Sequence, residues 1–90
     1  MARLERTFEI VNTLGLHARA AAQLVQAANR YRSDITVEKD GLQVNGKSIM
    51  GVLTLAAAKG SQILVTCEGE DAVAAMEALA VVILAGFGEK

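Results

Sequence analysis

Residues 4–30 read LERTFEIVNTLGLHARAAAQLVQAANR, and within them the spacing of the apolar residues changes once. Up to Val11 the apolar Leu4, Phe8 and Ile10 alternate with Glu5, Thr7 and Glu9, the period of a half-buried strand, with Arg6 interrupting it. After Asn12-Thr13-Leu14-Gly15 the period becomes helical. Arg19, Gln23, Gln26 and Arg30 follow at intervals of four, three and four, and Ala21, Leu24, Val25 and Ala28 fall on the opposite side. A strand therefore feeds a helix directly, with Arg19 facing water on the first turn.

Working outward, Asp34 to Lys39 and Leu42 to Asn45 are short alternating runs joined by Asp40-Gly41, a strong hairpin signal. From Ser48 the stretch SIMGVLTLAAAK predicts a helix that ends before Gly60, with Ser48 as its N-cap and Gly51 weakening it. Gln62 to Glu68 is an apolar, partly β-branched strand; a second alanine-rich helix begins at Asp71, runs to Ala85 and stops at Gly86. The order is βαββαβα, an α+β chain forming one domain over residues 1–90, with no internal repeat or low-complexity tract.

Composition narrows the function. Ninety residues with 52% hydrophobic content support a core without disulfides or metal, and a net charge of −1 lacks the basic footprint of a nucleic-acid binder. One cysteine excludes an intramolecular disulfide, and one histidine excludes a His-rich metal site; Cys67 is expected reduced in a strand. The first ten residues hold no continuous apolar segment of the secretory kind. The uncharged run from Ala78 to Gly88 is far short of the roughly 20 residues of a membrane span. The expectation is a cytoplasmic protein without membrane insertion. Residues 1–32 carry five arginines against two acids, whereas residues 33–90 carry four lysines against eight acids. That asymmetry is read either as ordinary solvated faces or as a basic face near the first helix that steers an acidic partner.

The single histidine stands in Gly15-Leu16-His17-Ala18-Arg19, where the connection meets the helix start. A lone histidine is usually structural, but this one has unusual neighbours. N–H groups of a first helical turn lack intrahelical partners and sit at the positive end of the helix dipole, so they suit a phosphate. Histidine with an ordinary pKa near 6.5 is substantially neutral and nucleophilic around pH 7, and Arg19 can present a planar fork of donors to phosphoryl oxygens. No further carboxylate or histidine is clustered in sequence with His17 as a general base, and there is no GxxxxGK[ST] loop. The combination suits an acceptor and donor of phosphoryl groups rather than an enzyme; no cofactor is implied.

Gly15-Leu16-His17-Ala18-Arg19, followed by Ala21-Ala22, resembles the active-site signature of the HPr family, the histidine-containing phosphocarriers of the bacterial phosphoenolpyruvate:sugar phosphotransferase system. Asn45-Gly46-Lys47-Ser48-Ile49-Met50-Gly51-Val52-Leu53 is similar to that family's regulatory-serine block. The resemblance implies an open-faced β-sandwich, a four-stranded antiparallel sheet with three helices on one face. It also implies that Enzyme I phosphorylates Nδ1 of His17, that Arg19 stabilises the phosphoryl group, and that Enzyme II components such as Enzyme IIA receive it. Ser48 matches the serine modified by HPr kinase/phosphorylase, and the family is usually monomeric. Ile49, Met50 and Leu53, with Ala22 on the first helix, match its docking positions; packing against a neighbouring helix is the competing reading, above all for Met50.

Ala20 departs from the family pattern, which has proline after the signature arginine. Asn12-Thr13-Leu14-Gly15 and Ala85-Gly86-Phe87 resemble the nitrogen-type members, which phosphorylate a regulatory Enzyme IIA, whereas Lys47-Ser48-Ile49-Met50-Gly51 looks more like the kinase-regulated carriers. The order of elements also suits ferredoxin-like domains such as acylphosphatases.

Overall fold

The computed structural model describes residues 2–89. Four strands, β1 (Ala2–Glu9), β2 (Asp34–Lys39), β3 (Leu42–Asn45) and β4 (Gln62–Gly69), form one antiparallel sheet in the order β1-β4-β2-β3. Three helices, α1 (Ala18–Ala28), α2 (Ile49–Thr54) and α3 (Ala72–Leu84), complete the open-faced sandwich, and a 3-10 turn at Gly86–Gly88 follows. The register explains the alternation. Phe8 lies opposite Ile63, Val37 opposite Val65 and Ile35 opposite Cys67, and all six are buried. Against them α1 sets Ala21, Leu24, Val25 and Ala28, and α3 sets Ala75, Met76, Leu79 and Ile83. Their burial is the main stabilising term. The other sheet face carries the polar partners, including Arg3, Glu5 and Glu68.

Asp71 joins two edges of this arrangement. Its carboxylate accepts from the Arg32 and Ser33 backbone N–H groups, each at 2.9 Å, and from the Ser33 hydroxyl. The start of α3 is thereby tied to the turn between α1 and β2. Those hydrogen bonds, the Ser33 hydroxyl first, hold the Asp71 carboxyl below the usual carboxylate range. Cys67 is a buried free thiol in β4, as expected, and burial pushes its pKa up.

Several boundaries differ from the sequence reading: β1 begins two residues earlier, at Ala2, and β4 runs one residue further, to Gly69. β1 ends at Glu9, although Ile10 continues the pairing through its N–H to the Ser61 carbonyl and its carbonyl to the Gly60 N–H. Helix α2 stops at Thr54, short of the run predicted to approach Gly60. Ala56 takes a left-handed φ of 48°, and the Ala57 carbonyl accepts instead from Leu16 N–H at 2.8 Å. The alanine-rich composition favours continuing the helix; the tertiary bond requires it to end. Helix α3 stops at Leu84, one residue short of the Ala85 expected, and Ala85 caps it before Gly86 turns left-handed. Its packed side faces the core, whereas Val73, Val81 and Leu84 remain exposed, so packing absorbs only part of its apolar girth.

Candidate functional site

Gly15 sets the position of the histidine. Its φ is +67°, and a Cβ there would lie 2.4 Å from the Ala57 carbonyl oxygen, so only glycine admits both the left-handed turn and the close approach. Asn12 closes the turn by accepting from Gly15 N–H at 3.2 Å. His17 follows as the N-cap of α1, extended at φ −73° and ψ 179°, with no side-chain capping bond. The hydrogen-bond ladder of α1 begins where Ala21 N–H donates to the His17 carbonyl at 2.8 Å. The N–H groups of Ala18, Arg19 and Ala20 precede it, and no acidic residue occupies the first turn. This end of α1 is therefore prepared for an anion.

The imidazole is held from the far end of the chain. Nε2 of His17 hydrogen-bonds to Oε2 of Glu89, and Asn12 Nδ2 donates to Glu89 Oε1 at 2.9 Å and to the Gly15 carbonyl at 2.8 Å. The Asn12 bond, followed by the His17 bond and the charges of His17 and Arg19, holds the Glu89 carboxyl below its ordinary range against the opposing effect of burial. A carboxylate accepts only, so Nε2 carries the proton in this contact. In the neutral ring Nδ1 then has the lone pair, and among the described residues it has no hydrogen-bond partner. The His17 side chain is 28% exposed, enough for an approaching group to reach the ring.

The tail reaches His17 through a local backbone device. Gly86, Phe87 and Gly88 all have left-handed φ, at 63°, 58° and 75°, and Phe87 is buried in the core. Phe87 anchors the turn that sends Glu89 back over the N-terminus of α1. The sequence reading missed both Asn12 and Glu89: no carboxylate is near His17 along the chain, yet one is near it in space. The only local signal is the pair of glycines around Phe87, which marks a turn but gives no destination.

Arg19 lies exposed on the same first turn, as predicted, and forms no ion pair among the described residues. Ser48 stands apart, at the N-cap of α2, where its Oγ accepts from Gly51 N–H at 3.1 Å. Ile49 and Met50 are exposed, Met50 at 74%, which decides against helix packing for that side chain; Leu53 packs partly against the core and Ala22 is half-buried. Helices α1 and α2, which carry these residues, pack together. The concavity bounded by Asp34, Thr36, Gln43, Asn45 and Lys47 lies at β2 and β3 and includes no site residue. Among the described residues no group of three or more metal-ligating side chains forms, and no helix is long and apolar enough to cross a membrane.

The family described as PTS HPr component phosphorylation site matches residues 4–84. The phosphocarrier protein HPr of Neisseria meningitidis is 48% identical over 86 residues, which span 96% of this chain and 97% of that protein. The HPr-like protein Crh of Bacillus subtilis is 46% identical over 77 residues, 86% of this chain and 91% of that protein. Among solved structures, HPr of Thermoanaerobacter tengcongensis superposes with a TM-score of 0.93 at 46% identity, covering 97% of this chain and 98% of that one. HPr of Bacillus anthracis gives 0.86 at 48% identity, covering 92% and 99%. The ferredoxin-like alternative is set aside by this fold likeness.

Proposed function

This chain belongs to the HPr family of phosphocarrier proteins, and on that premise we propose that it accepts a phosphoryl group from phosphorylated Enzyme I on Nδ1 of His17 and passes it to Enzyme II components. The observation that carries the reading is the Nε2 contact to Glu89, which leaves Nδ1 as the available lone pair. In the transfer that lone pair forms a bond to phosphorus while the donor's nitrogen–phosphorus bond breaks, and the electron pair of the broken bond returns to the donor. Nδ1 has no proton to lose, so this step requires no general base. The phosphorylated ring carries positive charge shared with Nε2–H, where the Glu89 carboxylate faces it. Onward transfer reverses the step: the Nδ1–phosphorus bond breaks and its electron pair returns to the ring.

The Ala18 and Arg19 N–H groups at the start of α1 and the Arg19 guanidinium receive the phosphoryl oxygens in this reading. The domain is a carrier rather than an enzyme, and its partners supply the remaining catalytic groups. Exposed Ile49 and Met50, with Leu53 and Ala22, form the surface on which Enzyme I and Enzyme IIA dock. Relatives named phosphocarrier HPr and the Lys47 to Gly51 block favour the sugar-uptake branch over the nitrogen-regulatory one.

Ser48 is the second modification site in this reading, the substrate of an ATP-dependent HPr kinase. Its support is the matching block and the likeness to Crh of Bacillus subtilis, whose solved structure is described as that of a catabolite repression protein. Phosphate would add about −1.5 to −2 charges beside the docking residues.

The test is incubation with phosphoenolpyruvate and Enzyme I from an HPr-containing bacterium. An acid-labile, alkali-stable adduct should form on the native protein and on Ser48→Ala, and not on His17→Ala. Absence of any adduct, with an Enzyme I that phosphorylates its own carrier, rejects the reading.

A further inference from the structure

The buried amide of Asn12 is more than packing. Its side chain is fully enclosed, both Nδ2 hydrogens are used, and Oδ1 has no partner among the described residues. Exchanging the amide oxygen and nitrogen would set the oxygen against the Gly15 carbonyl and a Glu89 oxygen, so the hydrogen-bond pattern fixes the orientation. An orphaned buried acceptor is a cost that an apolar residue of similar size avoids. What such a residue lacks is the pair of donors, one directed to the loop that carries His17 and the other to the tail that carries Glu89.

We propose that Asn12 is a positioning residue for phosphoryl transfer: it clips the C-terminal turn to the His17 loop and so holds the Glu89 carboxylate on Nε2 of His17. The inference rests on the reading of His17 as the phosphoryl acceptor and adds a structural cause for which ring nitrogen reacts. Without the Asn12 donor, Glu89 Oε1 loses its neutral partner and the carboxylate is tethered only through the flexible bonds of its own side chain. The ring then exchanges between tautomers and orientations, and only one of these presents an Nδ1 lone pair while Nε2–H faces a carboxylate. Asn12 touches neither the ring nor the phosphoryl group; it acts through Glu89.

The test combines ring 15N NMR of His17 with transfer kinetics from phosphorylated Enzyme I, on the full chain and its Asn12→Asp, Asn12→Ala, Glu89→Ala and Asn12→Ala/Glu89→Ala forms. Asn12→Asp keeps the shape, removes the donor and sets a second carboxylate against Glu89. The native ring should show a single tautomer protonated at Nε2. Asn12→Asp and Glu89→Ala should both show averaged ring shifts and a kcat lower by roughly tenfold, the loss expected when one charge-assisted hydrogen bond is removed. KM for Enzyme I should be unchanged, because Ile49 and Met50 are untouched. The double variant should be no slower than Glu89→Ala alone.

Ring shifts and kcat unchanged in Asn12→Asp overturn the proposal, as does an additive loss in the double variant, which would mean that Asn12 acts elsewhere. Should the buried variants fail to fold, Glu89→Ala, at the chain end, decides through the same two readouts: native shifts and rate reject the proposal. Failure of the native protein to accept phosphate at all would instead reject the function reading, so the two failures are distinct.

Discussion

The backbone N–H of Leu16 donates to the Ala57 carbonyl at 2.8 Å, so the loop carrying His17 hangs from the segment that follows α2. One bond thus ends α2 early and fixes where α1 begins.

Gly15→Ala should break this arrangement. The new Cβ would meet the Ala57 carbonyl oxygen at 2.4 Å, and φ would be held at +67° against its preference. Urea unfolding should show a loss of roughly 2 kcal/mol or more. Phosphoryl acceptance at His17 should fall in the same variant, measured at a temperature where it remains folded. A native midpoint would show that the loop accommodates a side chain.

Ser48 separates two roles. Ser48→Ala removes the acceptor for Gly51 N–H and should cost about 1 kcal/mol while leaving acceptance at His17 intact. Ser48→Asp retains a capping oxygen and places a negative charge at the start of α2, where the dipole favours it. It should melt close to the native temperature yet slow transfer from Enzyme I. Equal transfer rates for the native and Asp forms would show that charge at Ser48 does not act on the neighbouring docking residues.

The paired strands of the hairpin were legible to the residue, because Asp40-Gly41 between alternating runs fixes both turn and register. The placement of His17 and Arg19 at the start of α1 was legible for a related reason: it is local, two residues on one helical turn. The end of α2, Glu89 and Asn12 were not. Each depends on a partner far along the chain: Ala57 serves Leu16, and Glu89 serves both Asn12 and His17. Propensity and periodicity describe neighbours in sequence, and no alternation announces a contact across 72 residues.

Asp71 predicts the acid limb of stability. Its carboxyl is held low by the Ser33 hydroxyl first and then by the Arg32 N–H, so the folded state binds that proton more weakly than the unfolded chain. The stabilisation is complete above the unfolded pKa of about 3.9 and is lost as pH falls through the lower folded value. Native protein should exceed Asp71→Asn in urea midpoint by a constant amount above about pH 5, with the gap narrowing below about pH 4. A gap independent of pH down to full acid would mean that the carboxylate charge contributes nothing.

Phe87 couples the core to the site. It is buried with a left-handed backbone and directs Glu89 toward His17. Phe87→Ala should cost about 3 kcal/mol through the cavity it leaves. It should also free Glu89, so the His17 ring shifts should match those of Glu89→Ala. Native ring shifts in a folded Phe87→Ala protein would show that the tail finds the site without its anchor.

Ala20 occupies the position where the resembled family has proline. Its N–H precedes the first ladder bond of α1, donated by Ala21, so a proline there deletes no helical hydrogen bond. Against this, proline disfavours the helical backbone of the preceding residue, here Arg19. The first helical turn tolerates proline, and its fixed φ lowers the entropy of the unfolded chain. Ala20→Pro should therefore raise stability by about 0.4–1 kcal/mol, read as a higher urea midpoint. The same variant should accept phosphate at His17 at least as fast as the native chain, because a stiffer first turn holds the Ala18 and Arg19 N–H groups in place. A slower acceptor would show that the alanine's N–H is itself used in binding the phosphoryl oxygens.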